Sequence, residues 1–109
     1  MKKLSIIIVT FNASRYIENT ISSIIPFLNS DVELVCKDGG SSDNTLELLE
    51  KYKEHISLLE VKRDISVYDG MNQAVEFSNG KYIMFINAGD EIIRLDVDDL
   101  VDSATCFYW

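Results

Sequence analysis

Three features of the 109-residue chain predict an α/β domain built on a mainly parallel sheet. Short apolar runs alternate with segments of helical spacing, the order that produces right-handed crossovers between parallel strands. The first run is apolar at every position, as a strand covered on both faces must be. Turn and capping residues follow the strands, and no internal repeat, low-complexity segment or linker divides the chain. Helices are therefore expected on both faces of one sheet.

Leu4 to Val9 is the isoleucine-rich first strand, and Thr10-Phe11-Asn12 the turn after it. Asn12 or Ser14 is suited to cap the next helix, because a short side-chain oxygen there can accept a bond from a free helical N–H. Tyr16, Ile17, Ile21, Ile24 and Ile25 recur at helical spacing until Pro26 kinks or ends the helix. Val32 to Lys37 is the second strand, and Thr45 to about His55 the second helix, with Leu46, Leu49 and Tyr52 on its apolar stripe. Ile56 to Val61 is the third strand, and Lys62 to Val67 a polar connection. Tyr68 to Ser78 is the third helix, with Met71, Ala74, Val75 and Phe77 available for packing and Asn79-Gly80 as its stop signal. Tyr82 to Ile86 is the fourth strand, closed by Asn87-Ala88-Gly89-Asp90. A short helix over Asp98 to Ala104 is expected. The terminal Cys106-Phe107-Tyr108-Trp109 reads either as a cut core segment or as a tail packed back onto the sheet.

Composition is ordinary for a globular domain, with 47% hydrophobic and 26% charged residues. The formal net charge of −8 argues against general binding to nucleic acid or to an anionic membrane, since both need a cationic patch. Cys36 and Cys106 lie far apart with no metal-ligand spacing, so a reducing cytoplasm is expected. Met1-Lys2-Lys3 and the apolar run after it resemble the start of a signal peptide. That run is too short, and Thr10 and Asn12 interrupt it. No stretch approaches the length of a membrane span.

The most informative stretch is Val35-Cys36-Lys37-Asp38-Gly39-Gly40-Ser41-Ser42-Asp43-Asn44-Thr45. An apolar strand ends on an acid, two glycines follow, and capping residues open a helix. Ligands of open α/β sheets bind outside the carboxyl ends of the strands, where Asp38 would stand. Asp38 capping its own loop is the alternative. A dinucleotide fold would place GxGxxG after the first strand, yet Thr10 to Arg15 contains no glycine, and a Walker A loop is also missing. A metal ion is then the natural means of holding phosphates. Asp90, after Gly89 at a strand end, is the candidate ligand, with a plain surface-turn acid as the alternative.

Together these pieces resemble the amino-terminal half of a family 2 glycosyltransferase with the Rossmann-like GT-A fold. Ser5-Ile6-Ile7-Ile8-Val9-Thr10-Phe11-Asn12 resembles that family's opening strand and base-framing loop. Asp38 to Thr45 resembles its DGGSxDxT signature. Val67-Tyr68-Asp69-Gly70-Met71-Asn72-Gln73-Ala74 is similar to GIYDAMNxG of bacterial polysaccharide enzymes. Tyr82 to Asp90 is similar to the YxxFLNAGD form of the metal-binding region. The likeness covers about residues 4 to 92.

The resemblance implies nucleotide contacts from Thr10, Phe11, Asn12, Asp38, Gly39, Asp69, Asn87 and Gly89. Thr10 and Asn12 would flank the base and Asp38 would accept a hydrogen bond from the uracil of a UDP-sugar. Asp69 would lie near the sugar and diphosphate, and Asn87 or Gly89 near the ribose. Asp90 would bind Mg or Mn on the diphosphate. A saccharide or lipid-linked acceptor is implied, and a location in the cytoplasm, either free or peripheral to the inner face of the membrane. No catalytic base is assigned, because none of the acids in Asp96-Val97-Asp98-Asp99 sits in a recognisable version of that motif. Residues 1–109 are thus expected to form one donor-binding domain, truncated and lacking the acceptor half. Lys37, the Ser66-Val67 pair and Gly89 depart from the family pattern. A catalytically inactive nucleotide-binding remnant or interaction module is the alternative function. A nucleotidyltransferase would need a glycine-rich basic loop that Thr10 to Arg15 does not supply.

Overall fold

The computed structural model describes residues 2–92 and 106–108. Five strands, β1 (Lys2–Thr10), β2 (Val32–Asp38), β3 (Leu58–Val61), β4 (Gly80–Asn87) and β5 (Cys106–Tyr108), form one sheet in the order β3-β2-β1-β4-β5. Every pairing between them is parallel. Helix α1 (Ile17–Ile24), with a 3₁₀ turn over Ile25–Phe27, and α2 (Thr45–Lys51) cover one face, and α3 (Val67–Phe77) covers the other. The expected α/β class and parallel sheet are present.

The two covers follow from the alternation of β1. Leu4, Ile6 and Ile8 point to the face where Ile17, Ile21 and Ile24 of α1 and Leu49 of α2 are buried. Ile7 points the other way, against Val35 and Ala74. Each fully buried isoleucine contributes about 1.5–3 kcal/mol relative to exposure, so a one-residue slip of β1 would lose most of the core at once.

Several boundaries move for identifiable reasons. Tyr16, not Asn12 or Ser14, occupies the position before α1, and no side chain caps that end. Asn12 is diverted: it adopts φ +51, and its side-chain oxygen accepts from the backbone N–H of Ser42 and Asp43 across the loop. Helix α2 stops at Lys51, short of His55, because residues 52–55 close into tight turns through Tyr52 N to Leu49 O and His55 N to Tyr52 O. Gly80, expected as a stop signal, is the first residue of β4. A Cβ there would lie 2.4 Å from the Ser5 backbone nitrogen, so β1 and β4 can approach only at a glycine. Cys106, Phe107 and Tyr108 pair with β4 as β5, an arrangement that both readings of the terminal segment accommodate. The helix expected over Asp98 to Ala104, and the acids from Asp96 to Asp99, lie outside the described residues.

Candidate functional site

The connections reverse direction between β1 and β4, so the carboxyl ends of these two strands splay and leave a crevice. Thr10 of β1 stands opposite Asp38 of β2, and Val9 opposite Asn87 of β4, so the loops carrying Asp38 and Asp90 leave the same rim on either side of β1. A cleft of about 340 Å³ opens there, lined by Thr10, Phe11, Asn12, Tyr16, Asp64 and Asn87 among others. A second hollow of about 370 Å³ adjoins it, lined by Phe11, Gly39, Arg63, Asp64, Ile65 and Ser66. Phe11, 62% exposed, and Asp64 border both.

Asp38, expected at the base, ends β2 at the rim of the sheet and is tied into the loop that follows it. Asp38 is fully buried, and its carboxylate accepts four hydrogen bonds. Oδ1 takes Thr10 Oγ1 at 2.7 Å and Ser41 Oγ at 2.6 Å; Oδ2 takes the N–H groups of Gly40 at 2.8 Å and Ser41 at 2.7 Å. A carboxylate offers about four acceptor sites, and two of the four partners here are hydroxyls, which can rotate. Asp38 therefore caps its own loop and fastens β1 to it. Thr10, 2% exposed, spends its hydroxyl on this bond, and its carbonyl accepts from Gly39 N at 2.9 Å. Gly40 turns the loop with φ +94.

Asp43 and Thr45 complete the same device. Asp43 Oδ1 accepts from Thr45 N at 2.9 Å and from the Thr45 hydroxyl, while Thr45 Oγ1 accepts from Ala13 N at 2.8 Å. The Thr45 hydroxyl, with smaller help from Ser14, lowers the Asp43 carboxyl to about 2. Asn12 and Ser41 add two further cross-loop bonds. The loops after β1 and β2 are thereby locked to each other, and Phe11 is presented at their crest.

Asp69 lies at the start of α3, where its N–H donates to Ser66 Oγ at 3.1 Å and its Oδ2 accepts from Ile65 N and Gln73 Nε2, both at 3.0 Å. It thus closes a capping arrangement with Ser66, and it does not line either cavity described above. Gly89 turns the β4 loop with φ +106 and donates its N–H to Thr20 Oγ1 at 2.8 Å. Asp90 is half-buried in that turn, its N–H bonded to Asn87 O at 3.0 Å. Among the described residues no group of three acids, histidines or cysteines could cage a metal. A lone carboxylate such as that of Asp90 could hold a hard cation only if phosphate oxygens and water supplied the remaining ligands.

Two site residues escaped the sequence reading. Asp64 sits between the cavities, and its Oδ2 pairs with Lys37 Nζ at 2.9 Å. Lys37 is fully buried within β2, where it donates to the carbonyls of Asp38 and Lys62 as well. A lysine inside an apolar strand is the signal that could have found the pair, since a buried ammonium needs an acid.

A parallel α/β sheet with helices on both faces and a cleft at its switch point defines a doubly wound, ligand-binding α/β domain. Within that class the chain belongs to glycosyl transferase family 2, whose profile matches residues 5–105. It is 33% identical over 95 residues to a PGL/p-HBAD biosynthesis glycosyltransferase of Mycobacterium tuberculosis, covering 84% of this chain and 37% of that protein. It is 30% identical over 105 residues to the poly(ribitol-phosphate) β-N-acetylglucosaminyltransferase TarP of Staphylococcus aureus, covering 92% and 32%. Among solved structures, S. aureus TarS 1-349 in complex with UDP-GlcNAc superposes with a TM-score of 0.76 at 27% identity, covering 94% of this chain and 30% of that one. The mannosyltransferase PcManGT of Pyrobaculum calidifontis, in complex with GDP-Man and Mn²⁺, shares the fold with a TM-score of 0.76 at 19% identity, covering 84% and 29%. The chain spans about a third of the length of these relatives.

Proposed function

We propose that this chain is the donor-binding portion of an inverting glycosyltransferase that transfers sugar from a UDP-sugar to a saccharide or lipid-linked acceptor in the cytoplasm. The observation that carries the reading is the switch-point cleft, where Phe11, Asn12 and Asn87 converge on one rim of a family 2 sheet. The complex of TarS with UDP-GlcNAc supports the choice of donor. Among the described residues no helix is long and apolar enough to cross a membrane.

In this reading Phe11 and Asn12 flank the base, Asp38 accepts a hydrogen bond from it, and Thr10 and Gly39 let it approach. Asn87 and Gly89 border the ribose. Asp69 and Asp90 lie outside the lining of both cavities; Asp69 would meet the sugar and diphosphate from the α3 side, and Asp90 would hold Mg or Mn on the diphosphate. The cation, when bound, offsets the negative charge that a departing nucleoside diphosphate gathers. The residues of this chain bind and orient; the locked β1 and β2 loops keep the cleft in shape before ligand arrives, which lowers the ordering cost of binding.

Calorimetric titration of the chain with UDP in the presence of Mn²⁺ tests the reading. Heat that saturates, and that Asp90→Ala removes along with its Mn²⁺ dependence, is expected. No heat at millimolar UDP refutes it.

A further inference from the structure

We propose that Thr20 and Ser23 of α1 are positioning residues for the cleft: their hydroxyls latch the loop after β4 to the helix that continues the loop after β1, and so set the width of the opening before nucleotide arrives. The proposal rests on the nucleotide reading above and names what holds that site in shape.

Residues 87–92 leave β4 at the cleft rim and meet α1 at two points. Gly89 N donates to Thr20 Oγ1 at 2.8 Å, and Ile92 N donates to Ser23 Oγ at 3.0 Å. Both hydroxyls turn their own proton back into the helix, Thr20 to Tyr16 O at 3.3 Å and Ser23 to Thr20 O at 2.7 Å. A hydroxyl has one proton and two lone pairs. With the proton spent on a helical carbonyl, each oxygen presents only acceptor sites to the loop, which suits an N–H and repels a carbonyl. Thr20 lies fully buried among Ile17, Ile21 and Ile24 on the face that packs on the sheet. A hydroxyl at such a position needs partners, and the Gly89 N–H and the Tyr16 carbonyl satisfy it. Ile92 is held by its buried side chain as well, so Thr20 carries the greater share of the latch.

The other wall of the cleft reaches the same helix. Tyr16 N and Ile17 N both donate to Ala13 O at 3.0 Å, so the turn that follows Phe11 and Asn12 runs directly into α1. Tyr16 lines the cleft together with Asn12, Asn87 and Ala88. Gly89, turned at φ +106, passes close to the Tyr16 ring, where an added Cβ would sit 3.8 Å from Cγ. One helix thus serves as the reference for both walls. Without the latch, the loop after β4 can drift while the loop after β1 stays fixed, and bound nucleotide has to order it.

The test separates the hydroxyl from the packing. Thr20→Val keeps the branched shape and removes the hydroxyl, whereas Thr20→Ser keeps the hydroxyl and removes a buried methyl. Thr20→Val is expected to weaken UDP binding, titrated by calorimetry with Mn²⁺, by roughly threefold to tenfold, the worth of one hydrogen bond. Its urea midpoint should stay near native, because Gly89 is exposed and water can take over the bond. Thr20→Ser should do the reverse: UDP affinity is kept, and the urea midpoint falls with the lost methyl. Amide hydrogen exchange reads the latch without ligand. Gly89 N–H should be protected in the native chain and in Thr20→Ser, and exchange rapidly in Thr20→Val. If circular dichroism shows that Thr20→Val does not fold, Ser23→Ala is read instead, with weakened UDP binding and faster exchange at Ile92 expected. Native UDP affinity in the folded variant without the hydroxyl, or a loss in Thr20→Ser as large as in Thr20→Val, overturns the proposal. Rapid exchange of Gly89 in the native chain does so too. A native chain that protects Gly89 yet binds no UDP refutes the donor-site reading and leaves the latch as a structural tie alone.

Discussion

Removing the Asp38 carboxylate should unfasten the rim of the sheet, and the structure sets the size of the effect. Asp38→Ala strands four donors: the Thr10 hydroxyl, the Ser41 hydroxyl, and the N–H groups of Gly40 and Ser41. Gly40 is exposed, and its N–H recovers most of its bonding from water. The Ser41 hydroxyl keeps its bond from Asn12 N. Thr10 is buried and Ser41 partly so, and an unsatisfied buried donor costs about 1–3 kcal/mol. The sum is about 3–5 kcal/mol, a large share of the roughly 5–15 kcal/mol that holds a domain together. Asp38→Asn should cost only about 1–2 kcal/mol. Its amide oxygen can face the two backbone N–H groups while its NH₂ meets two hydroxyls that rotate to accept. Urea unfolding followed by circular dichroism measures both, with an unchanged slope marking a stability effect rather than a change in compactness. A loss below about 1 kcal/mol for Asp38→Ala would refute the claim that this carboxylate organises the loop.

Asp43 should make stability depend on acid. Its carboxyl falls from 3.8 to about 2 on folding, so its contribution is complete above about pH 4 and is lost as pH drops towards 2. Asp43→Ala should flatten that part of a stability–pH curve measured by urea unfolding, and an unchanged slope counts against the Thr45 bond as the cause. Burial pushes the Cys36 thiol up to about 12, so in a Cys106→Ser variant an aromatic disulfide reagent should label it only in urea; rapid labelling of that folded variant would contradict its position in β2. Gly80→Ala forces a methyl against the Ser5 backbone at 2.4 Å and should cost about 3 kcal/mol. A variant with native thermal stability would show that β1 and β4 can separate there.

Much of this fold could be read directly from residue patterns. The unbroken apolar run of β1 announces a strand covered on both faces, and the isoleucines of α1 announce its buried stripe. Boundaries were harder because side chains with obvious local roles take distant ones. Asn12 looks like a cap for α1 but serves the loop after β2. The site divides similarly. The loops carrying Asp38 and Asp90 leave one rim, yet Asp38 faces inward, and a strand pattern cannot say which acid at a strand end is exposed. Asp69 donates its N–H to Ser66 at the start of α3, a local role that the family likeness does not convey. Asp64 was hidden in a polar connection with no periodicity. Only the misplaced charge of Lys37, a strand away, pointed to it.

The all-parallel order of the sheet has a consequence for how the chain acquires its shape. Leu4 pairs with Tyr82 and Val9 with Asn87, so the central strand waits for nearly every intervening element before its second flank closes. No hairpin can seed such an arrangement, and topologies dominated by distant pairings assemble slowly. On the ribosome, one edge of the isoleucine-rich β1 therefore stays open until β4 emerges, and that interval is when a nascent chain of this kind most needs shielding from its neighbours.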